Sequence, residues 1–213
     1  MITKKILGEK ILRRINGGDY SPSSSSVKPQ DVYLEIEAAR NALIQKRLDE
    51  SQHDISSEFE TTYLNVDVLK DTDRDRFYSV LPAQTISLII KGNSSNSIGI
   101  RQISGMQDEY KVFIPMNSND TGVYDGLEAS GLSGRIGFWP EGQKVYYENM
   151  PYYWKDKKVL IKMISSIYSL DEDAFIPIPA GEEVALGDLV YERMLKMDVT
   201  PEPKLADSNP NTK

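Results

Sequence analysis

Residues 131–154 read GLSGRIGFWPEGQKVYYENMPYYW. Ile136 and Phe138 lead into Pro140-Glu141-Gly142-Gln143, and Val145 and Tyr147 lead out again. Apolar residues two apart on both sides of a Pro/Gly turn predict a β-hairpin, because alternate side chains of a strand share one face. Trp139, Tyr146, Tyr152, Tyr153 and Trp154 crowd this hairpin in a chain that is only 9% aromatic. Rings in such a place can fill a core, anchor a protein interface or stack on sugar rings.

Upstream of the hairpin the same period of two recurs. Leu64, Val66 and Val68 alternate with polar neighbours, and Asp71–Asp75 reads as a turn. Strands are then expected at 77–81, 86–90, around Ile98, Ile100 and Ile103, and at 110–115, with a turn at 91–96. A long loop of Asn, Asp, Gly and Ser covers 116–133, and a last strand lies within 158–165. Short strands spaced by turn signals predict an antiparallel β-sandwich or barrel.

The ends of the chain read as helical. Leu7, Ile11 and Ile15 repeat at a spacing of four over residues 3–16, with Leu12 alongside, and Gly17-Gly18 stops the helix. A Ser-rich linker follows, then a helix over 29–50 with Val32, Ile36, Ala39 and Leu43 on one face, Tyr33 and Ile44 beside it and Leu34 opposite. Near residue 180 the pattern turns helical again, with Leu186, Val190, Met194 and Met197 in register up to 198. The expectation is therefore an α+β chain. It has a helical arm at 1–58, an antiparallel β domain at 59–178, a C-terminal helix at 179–198 and an extended tail at 199–213 carrying Pro201 and Pro203.

Net charge is −7, a poor balance for neutralising phosphates over the whole surface. The charge is uneven. The first helix carries Lys4, Lys5, Lys10, Arg13 and Arg14 against Glu9 alone, whereas residues 49–75 hold nine acids against Lys70 and Arg74. The basic helix reads either as an arm for an acidic neighbour or as an amphipathic helix with a solvated basic face.

Chemistry is sparse. The chain has no cysteine, which removes disulfides, thiolate metal ligands and a thiol nucleophile. Its one histidine, His53, lies in a polar acidic stretch with no paired nucleophile. Asp71-Thr72-Asp73-Arg74-Asp75 begins like a calcium loop but has Arg76 and Pro82 where that loop needs Gly and Glu. Gly126, Gly131 and Gly134 lack the Lys-Ser/Thr of a phosphate cradle, so they read as a loop or a close backbone contact. No apolar run approaches the ~18 residues that span a bilayer. No catalytic, cofactor or metal-binding residue is assigned, and the chain is not read as an enzyme.

One resemblance carries further. The order is a basic helix ending in Gly-Gly, a Ser/Pro linker, a helix, a β domain, a helix and a Pro-rich tail. It is similar to ring proteins of the tail hub or head–tail adaptor of short-tailed bacteriophages, including crAss-like phages of gut Bacteroides. The matching segments are residues 4–18 (KKILGEKILRRINGG), Leu81-Pro82-Ala83, residues 99–104 (GIRQIS), Phe113-Ile114-Pro115, residues 134–149 and residues 177–180 (PIPA). The resemblance implies a virion structural protein at the portal vertex or tail, made in the host cytoplasm. About twelve copies would form a closed ring joining the portal to neighbouring tail proteins. DNA would pass through without sequence-specific binding, past an acidic wall that repels it. The expected contact residues are Lys4, Lys10, Arg13, Arg14, Gly126, Gly131, Trp139, Tyr152, Tyr153, Trp154, Pro201 and Pro203. The rival is a carbohydrate-binding β-sandwich module, which requires Trp139 and Trp154 exposed and roughly coplanar. A glycosidase, with two acids across a cleft, ranks behind both.

Overall fold

A computed structural model of the chain describes residues 2–18, 27–50, 55–86, 99–117 and 135–198. Residues 87–90 of the strand predicted at 86–90, the turn at 91–96, His53, most of the 116–133 loop with Gly126 and Gly131, and the tail with Pro201 and Pro203 lie outside the described residues.

The chain forms two compact units. Unit 1 joins Met1–Arg40 with Asp171–Ile176 and Ala180–Lys213, and unit 2 holds Asn41–Leu170 with Pro177–Pro179. The fold is α+β, with three helices and two sheets among the described residues.

In unit 1, helix α1 (Lys4–Ile15) starts on Thr3, whose Oγ1 accepts from the Ile6 N–H at 3.2 Å. It ends where Gly17 takes φ 70° and the Gly18 N–H reaches back to the Arg13 carbonyl at 2.7 Å. Helix α2 (Pro29–Glu50) begins in this unit and crosses the unit boundary after Arg40. Helix α3 (Glu182–Asp198) carries Glu182 and Glu183 in its first turn, where carboxylates suit the helix dipole. The predicted stripes are largely the buried ones: Leu7 and Ile11 of α1 with Leu12 alongside, Val32, Ile36, Ala39 and Leu43 of α2, and Leu186, Val190 and Met194 of α3, while Ile15 at the end of α1 is only half-buried. Leu34 lies outward, as the helical spacing requires.

Unit 2 is a sandwich. Strands β1 (Thr61–Asp67), β9 (Lys158–Met163), β4 (Ile100–Gly105) and β5 (Asp108–Val112) form one sheet in the order β1-β9-β4-β5. The other runs β2 (Leu69–Asp71), β3 (Arg76–Val80), β8 (Lys144–Glu148), β7 (Gly137–Glu141) and β6 (Ile114–Pro115). All pairs are antiparallel except β6 with β7. Ile103, Val159, Ile161 and Met163 from the first sheet and Phe77, Phe138, Val145 and Tyr147 from the second share one core.

One predicted strand divides between the sheets: the run expected over 110–115 leaves the first sheet at Phe113 and enters the second as β6. The strand expected at Leu64, Val66 and Val68 ends at Val68, after which the chain passes into the second sheet as β2. Both corner residues are buried in the common core. The predicted inward place of Leu64 is corrected: it is exposed, because a bulge shifts the β1–β9 register between Tyr63 and Val66 and Asn65 takes φ 61°. Tyr63 and Val66 pack on the core in its stead.

Candidate interaction surface

The opening hairpin is present as β7 and β8, joined through Gly142 and Gln143. Gly142 takes φ 62°, the left-handed value that a two-residue hairpin places on glycine. Its alternation sorts the aromatics. Phe138 and Tyr147 are cross-strand partners on the core side. Trp139 and Tyr146 are partners on the other face, stacked with centroids 5.8 Å apart and planes at 20°. Tyr78 of β3 lies beside Tyr146, with centroids 5.9 Å apart.

Cations cover this outer row. Arg76 lies 5.2 Å from the Trp139 ring, Arg74 lies 5.0 Å from Tyr146 and Lys144 lies 4.5 Å from Tyr78. Arg74 also grips Glu141 with two hydrogen bonds, at 2.7 and 3.1 Å. That bonding holds the Glu141 carboxyl below its usual range and raises the Arg74 guanidinium. Trp139 is only 4% exposed. Its expected place at the surface is therefore corrected, and the pair of exposed coplanar tryptophans that a sugar platform needs is not formed.

The exposed aromatics come one step later. After β8, Asn149 takes φ 54°, and Tyr152–Trp154 form a single 3-10 turn closed by the Lys155 N–H on the Tyr152 carbonyl at 3.0 Å. Trp154 turns inward. Its ring meets Phe113 edge-on with centroids 5.6 Å apart and lies so close to Gly105 that a Cβ there would sit 2.7 Å from its Cη2. Tyr152 and Tyr153 turn outward and are each 64% exposed. Lys70 lies 5.3 Å from the Tyr152 ring and Lys155 5.9 Å from it, while Lys157 lies 4.5 Å from Tyr153. Lys70 is also paired with Asp75 at 2.6 Å, and that hydrogen bond raises its pKa.

The surface is thus two tyrosines on an anchored turn, ringed by three lysines. Exposed cation–π contacts contribute only ~0.5–1 kcal/mol each. Their effect is to hold rings and ammonium groups in one orientation. Sequence reading named the tyrosines and missed the lysines. Lys155 and Lys157 flank the aromatic run and were legible, whereas Lys70 arrives from β2 by tertiary pairing alone.

The basic residues of α1 separate within unit 1. Lys10 and Arg13 are exposed. Arg14 is exposed but engaged: its Nη1 donates to Asp188 Oδ1 at 2.5 Å and its guanidinium lies 4.1 Å from the Tyr191 ring. Lys4 is corrected as a surface residue, being 4% exposed. Gly8 lets the Tyr33 ring approach α1 to where a Cβ would sit 2.8 Å away, and Lys4 Nζ lies 6.0 Å from that ring. Burial lowers its pKa, opposed by the charges of Glu172, Glu37 and Asp171.

The acidic turn at Asp71 is also explained. Asp71 Oδ1 accepts from the backbone of Asp73 at 3.0 Å and of Arg74 at 3.3 Å, and these bonds lower its pKa. Among the described residues no cluster of three His, Cys, Asp or Glu is placed to hold a metal ion. Among the same residues no helix is long and apolar enough to cross a membrane. No protein-family model matches the chain, and no curated protein matches it.

Proposed function

We propose that this chain is a virion structural protein that assembles into a ring between portal and tail, using the Tyr152–Tyr153 face as one of its contacts. The observation that carries the reading is the exposed tyrosine pair held over the core by Trp154 and bordered by Lys70, Lys155 and Lys157. Large apolar rings left in water on an anchored turn are typical of interface anchors. The stretch 49–75, with nine acids against two bases, offers such lysines a complementary surface on a second copy. The order of segments along the chain agrees with the ring proteins of short-tailed phages. The net charge of −7 suits a channel wall along which DNA slides.

The test is native mass measurement of the purified chain and of a Tyr152→Ser/Tyr153→Ser variant. The wild type is expected as a defined multimer of about a dozen copies. The variant is expected as smaller species with an unchanged unfolding midpoint. A monomeric wild type, or a variant that assembles normally, overturns the proposal.

A further inference from the structure

The tyrosine face of unit 2 has a counterpart in chemistry on unit 1. The segment Asp171–Ile176 belongs to unit 1 and is pinned to the start of α1 at two points. The Lys5 N–H donates to the Glu172 carbonyl at 3.1 Å, and the Ile176 N–H donates to the Ile2 carbonyl at 2.9 Å. A tight turn opens the segment. The Ala174 N–H donates to the Asp171 carbonyl at 3.1 Å, and the Asp173 N–H donates to Asp171 Oδ1 at 3.3 Å. Asp171, Glu172 and Asp173 are all exposed on this turn. Lys5 meets Asp173 at 3.6 Å, a surface pair that leaves most of the Asp173 side chain in water. Phe175 follows and is 59% exposed. It is the bridge partner of Thr3, whose hydroxyl holds the N–H of Ile6, another exposed apolar residue.

The two faces are alike in build and opposite in charge. On unit 2, Tyr152 and Tyr153 stand in water among Lys70, Lys155 and Lys157. On unit 1, Phe175 stands in water beside three carboxylates. Rings that bury one another at the centre, with lysines meeting carboxylates at the rim, give the anatomy of a protein interface. Each face sits on backbone that is already hydrogen-bonded, so docking has little loop ordering to offset. The stretch 49–75 offers the same lysines charge, but Glu50, Glu60 and Asp67 there already hold Arg47, Arg101 and Lys158. The turn at 171–173 adds a large exposed ring to its charge. A contact between two unlike surfaces repeats from copy to copy, and such head-to-tail contacts build rings when the rotation closes.

We propose that the tyrosine face of one copy docks on the acidic turn at 171–173 and the Phe175 ring of the next copy. The proposal rests on the ring reading above and names the surface that the tyrosines meet.

Exchanging the charges tests it in the full chain. Lys155→Glu/Lys157→Glu and Asp171→Lys/Asp173→Lys, each purified alone, set like charges against each other at the contact. Each is expected to lose about tenfold or more in affinity between copies, read by native mass measurement against concentration. In an equal mixture the reversed lysines of one chain meet the reversed acids of the other, so multimers containing both chains are expected to return. Phe175→Ser, a change at an exposed position, is expected to weaken assembly several-fold with an unchanged unfolding midpoint. Wild-type assembly by Asp171→Lys/Asp173→Lys alone overturns the proposal, and so does a mixture of the two folded variants that stays dispersed. Undiminished assembly of Phe175→Ser overturns it as well. These outcomes, with a multimeric wild type, strike this contact alone, whereas a monomeric wild type overturns it together with the ring reading.

Discussion

Replacing Ser79 with alanine tests the interior that carries the tyrosine face. Tyr147 donates its hydroxyl to Ser79 Oγ at 2.8 Å, and Ser79 Oγ donates to the Asp67 carbonyl at 2.8 Å. Ser79 and Tyr147 are both buried, and burial pushes the Tyr147 phenol well above its ordinary pKa. Ser79→Ala strips the partner from the phenol and this partner from the carbonyl. A buried group left unpaired costs ~1–3 kcal/mol, so the loss should be about 2–4 kcal/mol. Tyr147→Phe keeps the bond from Ser79 to Asp67 and should cost only ~0.5–1.5 kcal/mol. The double variant should cost no more than Ser79→Ala, a coupling of ~1–2 kcal/mol, because the phenol that alanine strands is then absent. Urea unfolding followed by tryptophan fluorescence is the assay. Trp139 and Trp154 are the only tryptophans and both belong to unit 2, so the signal reports that unit alone. Tyr147→Phe costing as much as Ser79→Ala, or a double variant additive within ~0.5 kcal/mol, would refute the reasoning.

Two further outcomes follow from the same unit. Gly105→Ala should lose ~1–3 kcal/mol and shift the tryptophan emission, because its Cβ meets the rigid Trp154 ring at 2.7 Å; an unchanged midpoint would mean the ring moves freely. Acid should weaken unit 2 through Glu141 and Asp71, whose folded pKa values lie below the ordinary 4.5 and 3.8. Such depressed carboxyls stabilise above those ordinary values, and the stability is lost as pH falls through the folded values. Urea midpoints of wild type and Glu141→Gln should therefore differ at pH 6 and converge towards pH 3; parallel curves would show that the Arg74–Glu141 pair adds nothing.

Local patterns were legible where one element decides its own burial. The stripes of α1, α2 and α3 and the hairpin β7–β8 follow from spacing and turn chemistry, and those helices and strands stand where the sequence places them. What failed depended on partners far along the chain. Leu64 has the period of a buried strand residue, but the bulge before Val66 turns it outward. Trp139 sits in an aromatic run that suggests display, yet Arg76 and Tyr146 cover it. Lys4 reads as one of five exposed cations, yet the missing side chain of Gly8 brings Tyr33 over it. The Tyr152–Tyr153 face was half visible, because its rings are local and Lys70 is not.

The corners at Val68 and Phe113 have a consequence for how such a chain can change length. At each, one continuous run of backbone leaves the first sheet and enters the second through a single buried residue. A residue inserted or deleted there would turn every later side chain of β2 or β6 to the wrong face. These two sites behave like a reading frame, with a spacing fixed to one residue. Homologous chains should therefore keep the distance from Thr61 to Asp71 and from Asp108 to Pro115, and place their insertions elsewhere.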